Sequence, residues 1–291
     1  MKLVLGTAQM GLNYGINNKF GKIPEFETFN ILLEAHKSGI TLLDTAEVYG
    51  NAHQLIGEFH KNYPYNKFQI ITKLPNGIKA DDVNDKIENY LKILNVEKLD
   101  ILLFHSFDSY ITNFDAIEKL YAFKCNGLIN QIGVSVYTNE QLEYLVDDTQ
   151  LDVIQLPFNL LDNKSIRGEL ISKLKKAGKI IHTRSAFLQG LFFKNINENN
   201  NVVKGLKIEL SLLNELASKS KCSLVDLALN YCLQQSEIDR VIIGIDSMKQ
   251  LRENLVAASN IIETEVIEII NQIKVTNIGL LNPSLWNSKQ F

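Results

Sequence analysis

Asp44, Tyr49, Lys73 and His105 are four side chains that can hold or move protons, and all fall in the first half of the chain. Asp44, Lys73 and His105 each end a short apolar run, with an apolar residue two positions earlier: Leu42, Ile71 and Leu103. If those runs are strands, alternation puts each polar side chain on the same face as its apolar predecessor, at the strand's C-terminal end. The same spacing recurs in Val153 with Gln155 and in His182 with Arg184. In a closed parallel barrel these ends meet around one mouth, where catalytic groups gather. Tyr49 follows Asp44 in the loop just beyond the same strand.

Asp and His can bind a metal, but a lysine among them is no ligand at neutral pH and would repel a divalent ion, so no metal site is assigned. A nucleophilic triad needs Ser or Cys beside a base, and alternation turns Ser106 away from His105. Lys73 could form a Schiff base, yet Asp44 beside it would keep it protonated. Proton transfer by Tyr49 remains. A phenol titrates at about 10, and a neighbouring ammonium held by a carboxylate would bring it down toward use as an acid, with His105 orienting a substrate carbonyl.

Eight apolar, β-rich runs can position these groups: KLVLGT, TLLDT, FQIITKL, LDILLFHS, QIGVSV, DVIQLP, KIIHTRS and RVIIG. Segments of helical period lie between them. In the first, Pro24 can open a helix, Phe29, Leu32, Leu33 and His36 share a face, and Gly39 can close it. Strands covered on both faces and alternating with helices predict a (β/α)8 barrel, an α/β fold, occupying residues 1–291 as one domain. The longest interval without a strand, from about Leu188 to Asp239, holds the polar run NINENNN and then two helical patterns; it reads as an enlarged loop and a split helix. The tail VTNIGLLNPSLWNSKQF, with the only Trp, could close over one end.

The net charge of −3 gives no general polyanion signal, so nucleic acid and anionic membrane surfaces are not the expected partners. Hydrophobic residues at 45% and charged ones at 22% describe a chain able to bury a full core. Cys125, Cys222 and Cys232 are too few and scattered for a disulfide framework or zinc knuckle, and are expected as free, buried thiols. There is no signal-peptide pattern and no run of about 18 apolar residues, so a cytoplasmic protein is expected.

The ordered motifs LGTAQMG, GITLLDTAEVYG, ITKL, LDILLFHS, IGVSV, IQLPFNLLD, RSAFLQGL and GIDSMKQLRENL carry a resemblance to the aldo/keto reductases over nearly the full length. That family is a TIM barrel transferring hydride between a nicotinamide cofactor, usually NADPH, and a carbonyl. The resemblance implies Tyr49 as general acid, Lys73 as the residue lowering its pKa, Asp44 as the partner of Lys73, and His105 as the carbonyl-orienting residue. Of the other histidines, His36 and His60 are expected to be structural or solvated, His182 to fill a barrel layer, and His53 to lie at the surface or line the entrance.

The helix starting near Ser247, just after Gly244, offers N-terminal amides suited to a phosphate. The resemblance places the adenosine half of the cofactor there, with Glu253 and Asn254 near the adenine, Gln250 and Ser247 near the ribose phosphate, and Ile245 alongside. Relatives often hold the 2′-phosphate with a basic residue where this chain has Gln250 and Gly244. Lys249 and Arg252 stand close enough to substitute, which favours NADPH and leaves NADH open. Ser135 and Gln155 match positions that bind the nicotinamide carboxamide, while Val136 stands where Asn is common. Arg184 replaces a stacking aromatic residue and is expected to stack or to reach the pyrophosphate, with Ser185, Phe187, Leu188 and Gly190 in the same stretch. Gly6, Thr7 and Ala8 would pass near the nicotinamide ribose.

Substrate contacts are expected from loops over the strand ends: Met10, Asn13 and Tyr14, then Phe107, Tyr137 and Phe158, and Trp286 in the tail. Such groups suit a small-molecule aldehyde or ketone, including a sugar-derived one. The competing readings are a nucleotide-binding redox sensor with little turnover, and a sugar-modifying enzyme using the cofactor transiently. Substrate, reaction direction and oligomeric state stay open.

Overall fold

A computed structural model describes residues 1–286. The eight strands close in sequence order into a parallel barrel: β1 (Leu3–Gly6), β2 (Leu42–Asp44), β3 (Gln69–Leu74), β4 (Leu99–Phe104), β5 (Ile129–Ser135), β6 (Val153–Pro157), β7 (Ile180–Arg184) and β8 (Arg240–Ile243). Helices cover the outside. Val4, Leu42, Ile71, Ile101, Leu103, Val153 and Ile242 pack together as the barrel's inner core, with Ile180 against them. The outward-facing residues of the same strands join a much larger cluster shared with the helices. Each inner apolar side chain fills one layer, so the polar residue two positions later emerges at the mouth.

The opposite rim carries a device that sequence patterning did not anticipate. Asp100 accepts a hydrogen bond from the Ile70 amide at 3.1 Å, Asp152 from Ile132 at 2.9 Å and Asp239 from Ile181 at 2.7 Å. Each aspartate therefore ties one strand to the start of the next. Lys124 and Lys175 pair with Asp152 and Asp239, at 2.6 and 2.8 Å.

After a short helical turn at Ala8–Gly11, the first predicted helix runs from Glu25 to Lys37, with Pro24 at its N-cap. Its buried stripe is Thr28, Ile31, Leu32 and Ala35. The predicted face of Phe29, Leu32, Leu33 and His36 is thus rotated: Phe29 and Leu33 are only partly buried, and His36 meets Asn66 at 3.2 Å. The long interval before β8 forms turns at Leu188–Phe193 and the two expected helices, Lys207–Lys219 and Leu224–Leu233, with an additional short helix, Asn201–Gly205, starting at the end of the polar run. Within NINENNN, Asn200 caps a helix by accepting from the Val202 and Val203 amides. Cys232 is buried, Cys222 intermediate and Cys125 exposed, so the expectation that all three thiols are buried fails at Cys125, the last residue of helix Phe114–Cys125. Among the described residues no helix is long and apolar enough to cross a membrane.

Closure around β5 depends on one missing side chain. Gly133 pairs with Leu103 and Val153, and a Cβ there would lie 2.1 Å from the Val153 carbonyl oxygen. Gly133→Ala should therefore lower stability by about 3 kcal/mol in denaturant melts; an unchanged midpoint would show that the β5–β6 contact yields easily.

Candidate active site

Asp44 and Lys73 sit at the ends of β2 and β3, 4% and 2% exposed. Lys73 Nζ donates to Asp44 Oδ1 at 2.6 Å and to the Thr45 carbonyl at 3.0 Å. Asp44 Oδ2 accepts from Gln155 Nε2 at 2.8 Å. Two of the ammonium's three donors are thus engaged on one side, and the nitrogen lies 5.1 Å from the centroid of the Tyr49 ring. His105, just past β4, meets that ring edge-on at 6.1 Å. The four residues singled out from the sequence therefore form one contiguous group.

Backbone contacts fix the Tyr49 loop. The Tyr49 amide donates to the Ala46 carbonyl, and Ala52 donates back to Tyr49, both at 3.0 Å. A Cβ on Gly11 would lie 1.8 Å from the Tyr49 carbonyl oxygen, so the first loop can approach only because Gly11 has no side chain. Gly50 follows with φ +55°, in the left-handed region. Thr7 then ties the end of β1 to the Asp44 carbonyl through its amide at 3.0 Å and its hydroxyl at 3.1 Å.

Burial pushes the Tyr49 phenol above its ordinary range; Lys73 pulls it down and Asp44 pushes it up. The sequence expectation that an ammonium held by a carboxylate brings this phenol down toward neutrality is corrected accordingly: burial outweighs Lys73, and the phenol holds its proton at neutral pH. Burial also works against the Lys73 ammonium, but Asp44 first, and then Tyr49, outweigh it and hold Lys73 above its usual value. Burial, reinforced by Lys73, pushes His105 down to about 4, so its imidazole is neutral at pH 7.

A cavity of about 320 Å³ opens onto Asp44 and Tyr49 of this group, while Lys73 and His105 lie behind its lining. Gly6, Thr7, Ala8, Asp44 and Tyr49 line one part, and Tyr14 comes from the first loop. Arg184, Ser185, Phe187 and Gly190 line another part, and Gly244, Gln250, Glu253 and Asn254 bound the far end. Arg184 lies 4.1 Å from the Tyr137 ring centroid and donates to Ser135 Oγ at 3.3 Å and the Val136 carbonyl at 3.2 Å. Ser185, Leu188 and Gln189 have φ of 63°, 45° and 54°, a cluster of left-handed non-glycine residues of the kind strained sites store. Gln189 Nε2 donates to the Tyr14 hydroxyl at 3.0 Å, joining the loop after β7 to the first loop.

Several expected residues lie elsewhere. Met10 and Phe158 are each 1% exposed, and Phe158 stacks on Tyr231 with centroids 5.3 Å apart, so both belong to the core rather than to the mouth. Phe107 packs edge-on against Tyr144 at 5.3 Å. Trp286 packs against the core and donates from Nε1 to the Leu280 carbonyl at 2.9 Å, away from the cavity lining; residues 287–291 of the tail lie outside the described residues. Leu188 and Ile245 are buried, and Asn13 accepts from the Lys22 amide. His53 is neither at the surface nor at the entrance: it is 5% exposed, bonded to Thr72 Oγ1 at 2.9 Å and set edge-on to Tyr90. His60 is fully buried between the Leu94 carbonyl and the Phe68 amide. His182 fills the barrel interior in register with Gln155.

The helix Met248–Ala257 is not open for an anion in the way its sequence suggests. Ser247 Oγ accepts from the Gln250 amide at 3.3 Å, and the Met248 amide donates to Glu27 Oε1 at 3.4 Å. Lys249 and Arg252 do not line the cavity. They face Glu253 and Glu34, each at 3.7 Å, with side chains 83% and 65% exposed. Sequence reasoning missed Gln9, Asn17, Gln189, Phe193 and Asp246, all of which line the cavity. Asp246 stood in plain view between Ile245 and Ser247; the others are polar or aromatic loop residues with no periodic signal.

The pattern that defines the aldo/keto reductase family matches residues 2–275, and the chain belongs to that family of oxidoreductases. The NADH-specific methylglyoxal reductase of Escherichia coli (strain K12) is 25% identical over 269 residues, covering 79% of this chain and 82% of the relative. The L-galactose dehydrogenase of Arabidopsis thaliana is 25% identical over 265 residues, covering 84% and 82%. Among solved structures, the holo form of an aldo-keto reductase from Bacillus halodurans superposes with TM-score 0.75 at 20% identity, covering 92% of this chain and 91% of that one. The glycerol dehydrogenase of Gluconobacter oxydans gives 0.73 at 20% identity, covering 93% and 90%. These two share the fold.

Burial pushes His53, His105 and His182 each to about 4 in the folded chain, against 6.5 when unperturbed. Between those values the unfolded chain binds these protons and the folded chain does not, so stability must fall as pH drops through the window from 6.5 to 4. Urea midpoints should decline steadily across it; a flat profile would contradict the burial of these imidazoles.

Proposed function

We propose that the chain reduces a small aldehyde or ketone with a nicotinamide dinucleotide as reductant and Tyr49 as the proton donor. The observation that carries this reading is the buried Asp44–Lys73 pair beside Tyr49, with Asp44 and Tyr49 lining the cavity. The residues fit such a cofactor. Gln155 Oε1 is buried with no hydrogen-bond partner and can accept from a carboxamide NH₂, and Ser135 is its register partner on β5. Arg184 offers a planar cation near the same end. A nicotinamide bound there supplies the hydride.

The protein's own groups handle the proton. His105, neutral at pH 7, can donate an N–H to the carbonyl oxygen and hold it toward Tyr49. The Tyr49 O–H bond breaks as its proton passes to that oxygen, which becomes the alcohol. The phenolate left behind faces the Lys73 ammonium, whose charge stabilises it most as it develops, and Asp44 keeps Lys73 charged and in place. Solvent then returns a proton to Tyr49.

A small carbonyl with an oxygen function on the neighbouring carbon, sugar-derived or not, is the substrate class we favour. The names of the relatives support it: they act on methylglyoxal, L-galactose and, for a third at 26% identity over 304 residues from Escherichia coli O157:H7, L-glyceraldehyde 3-phosphate. Either reduced dinucleotide carries the same hydride; NADPH follows from the family resemblance, but its supporting residues, Lys249 and Arg252, face other carboxylates.

Tyr49→Phe removes the transferable proton and little else. It should lower kcat on an aldehyde panel by about 10²- to 10⁴-fold while the fluorescence-measured Kd for dinucleotide stays near the wild-type value. Retained turnover would remove Tyr49 from the mechanism.

A further inference from the structure

This inference rests on reading the cavity as a nicotinamide dinucleotide site. With the reactive ring against Tyr49, the molecule must extend across the ends of β1 and β8 toward Gln250, Glu253 and Asn254, which lie on a helix outside the ring of strands. That end must receive the adenosine ribose, and its charge is negative. Asp246 and Glu253 line it, and no lysine, arginine or histidine does. Arg184, the one basic side chain lining the cavity among the described residues, is at the end of β7 beside Ser135, on the nicotinamide side.

The neighbouring donors and cations are either already engaged by carboxylates or absent from the lining. The Met248 amide, at the helix N-terminus where an anion would be welcomed, already faces the Glu27 carboxylate. Gly244, with no side chain, supplies no cation to the cavity it lines. Lys249 and Arg252 are exposed and paired with carboxylates. Asp246 itself is held in position: its amide donates to Gln250 Oε1 at 2.8 Å, and Gln250 Nε2 donates to its Oδ2 at 3.3 Å. A carboxylate has about four acceptor sites, so Asp246 can still accept from a ribose hydroxyl, the pairing that selects a free 2′-hydroxyl in other dinucleotide sites.

We infer that this end of the cavity is built for a ribose with a free 2′-hydroxyl, so that the chain takes NADH and discriminates against NADPH, with Asp246 and Glu253 as the specificity-determining side chains. The added 2′-phosphate, with a charge of about −1.5 to −2 at neutral pH, would meet two carboxylates and no basic side chain that lines this end; Lys249, 3.7 Å from Glu253, is outside the lining and already faces that carboxylate.

The test is direct binding, read from nicotinamide fluorescence as the purified protein is titrated with NADH and with NADPH. At about 50 mM salt, NADH should bind at least about tenfold more tightly, and the gap should narrow as salt screens the repulsion. The double variant Asp246→Asn, Glu253→Gln should tighten NADPH binding several-fold and bring the ratio of Kd values toward one. The salt titration uses the wild-type chain, so it decides even if that variant fails to fold. NADPH binding as tight as NADH, or a ratio that salt leaves unchanged, overturns the inference while leaving the reductase reading intact. Failure of both nucleotides to bind overturns the cofactor reading and this inference with it.

Discussion

A lysine ammonium sealed inside an apolar barrel costs several kcal/mol unless an opposite charge and hydrogen bonds accompany it. Lys73 has both, from Asp44 and the Thr45 carbonyl, and much of the surrounding structure serves that pairing. Gln155 reaches across from β6 to occupy the second oxygen of Asp44. Thr7 pins the Asp44 backbone from β1. The pair is therefore held from both sides of the barrel, and its remaining open direction is toward Tyr49. Such a pair contributes little to stability over an apolar substitute; its value is a fixed positive charge beside a phenol.

That charge matters only if the phenol stays within reach, and here side chains do less than backbone. Gly11 and Gly50 allow the first loop to lie directly on the Tyr49 turn, closer than any residue with a Cβ could. The loop after β7 closes the other flank, with three non-glycine residues in the left-handed region. The Gln189–Tyr14 contact joins the two loops. The site is thus a rigid floor of strand ends, with two loops laid over it by close approach and local strain.

The strands were legible because each alternates around an inner apolar residue, and that same alternation carried Asp44, Lys73 and His105 to the mouth. Their joint placement followed from a spacing of two, without any knowledge of distances. What stayed hidden depends on contacts distant in sequence. Met10 and Phe158 have the same residue types as pocket walls, and only the packing of Phe158 on Tyr231 separates core from mouth. His53 looked exposed because its partners, Thr72 and Tyr90, lie on other elements. The anion site read from Ser247 failed because Glu27, more than 200 positions away, faces the helix terminus. The aspartates at the opposite rim each follow an apolar residue at a strand's start, but their amide partners lie on the preceding strand, 20 to 58 positions away.

The central claim is that the charge of Lys73, held by Asp44, stabilises the phenolate that Tyr49 becomes. The most direct measurement is kcat for aldehyde reduction in H₂O and in D₂O, comparing wild type with the double variant Asp44→Asn, Lys73→Met, which removes both charges together. The account predicts a fall of about 10²-fold or more in kcat, with a larger solvent isotope effect as proton transfer becomes slower, and an unchanged Kd for dinucleotide. Equal kcat and equal isotope effects in the two proteins would contradict it.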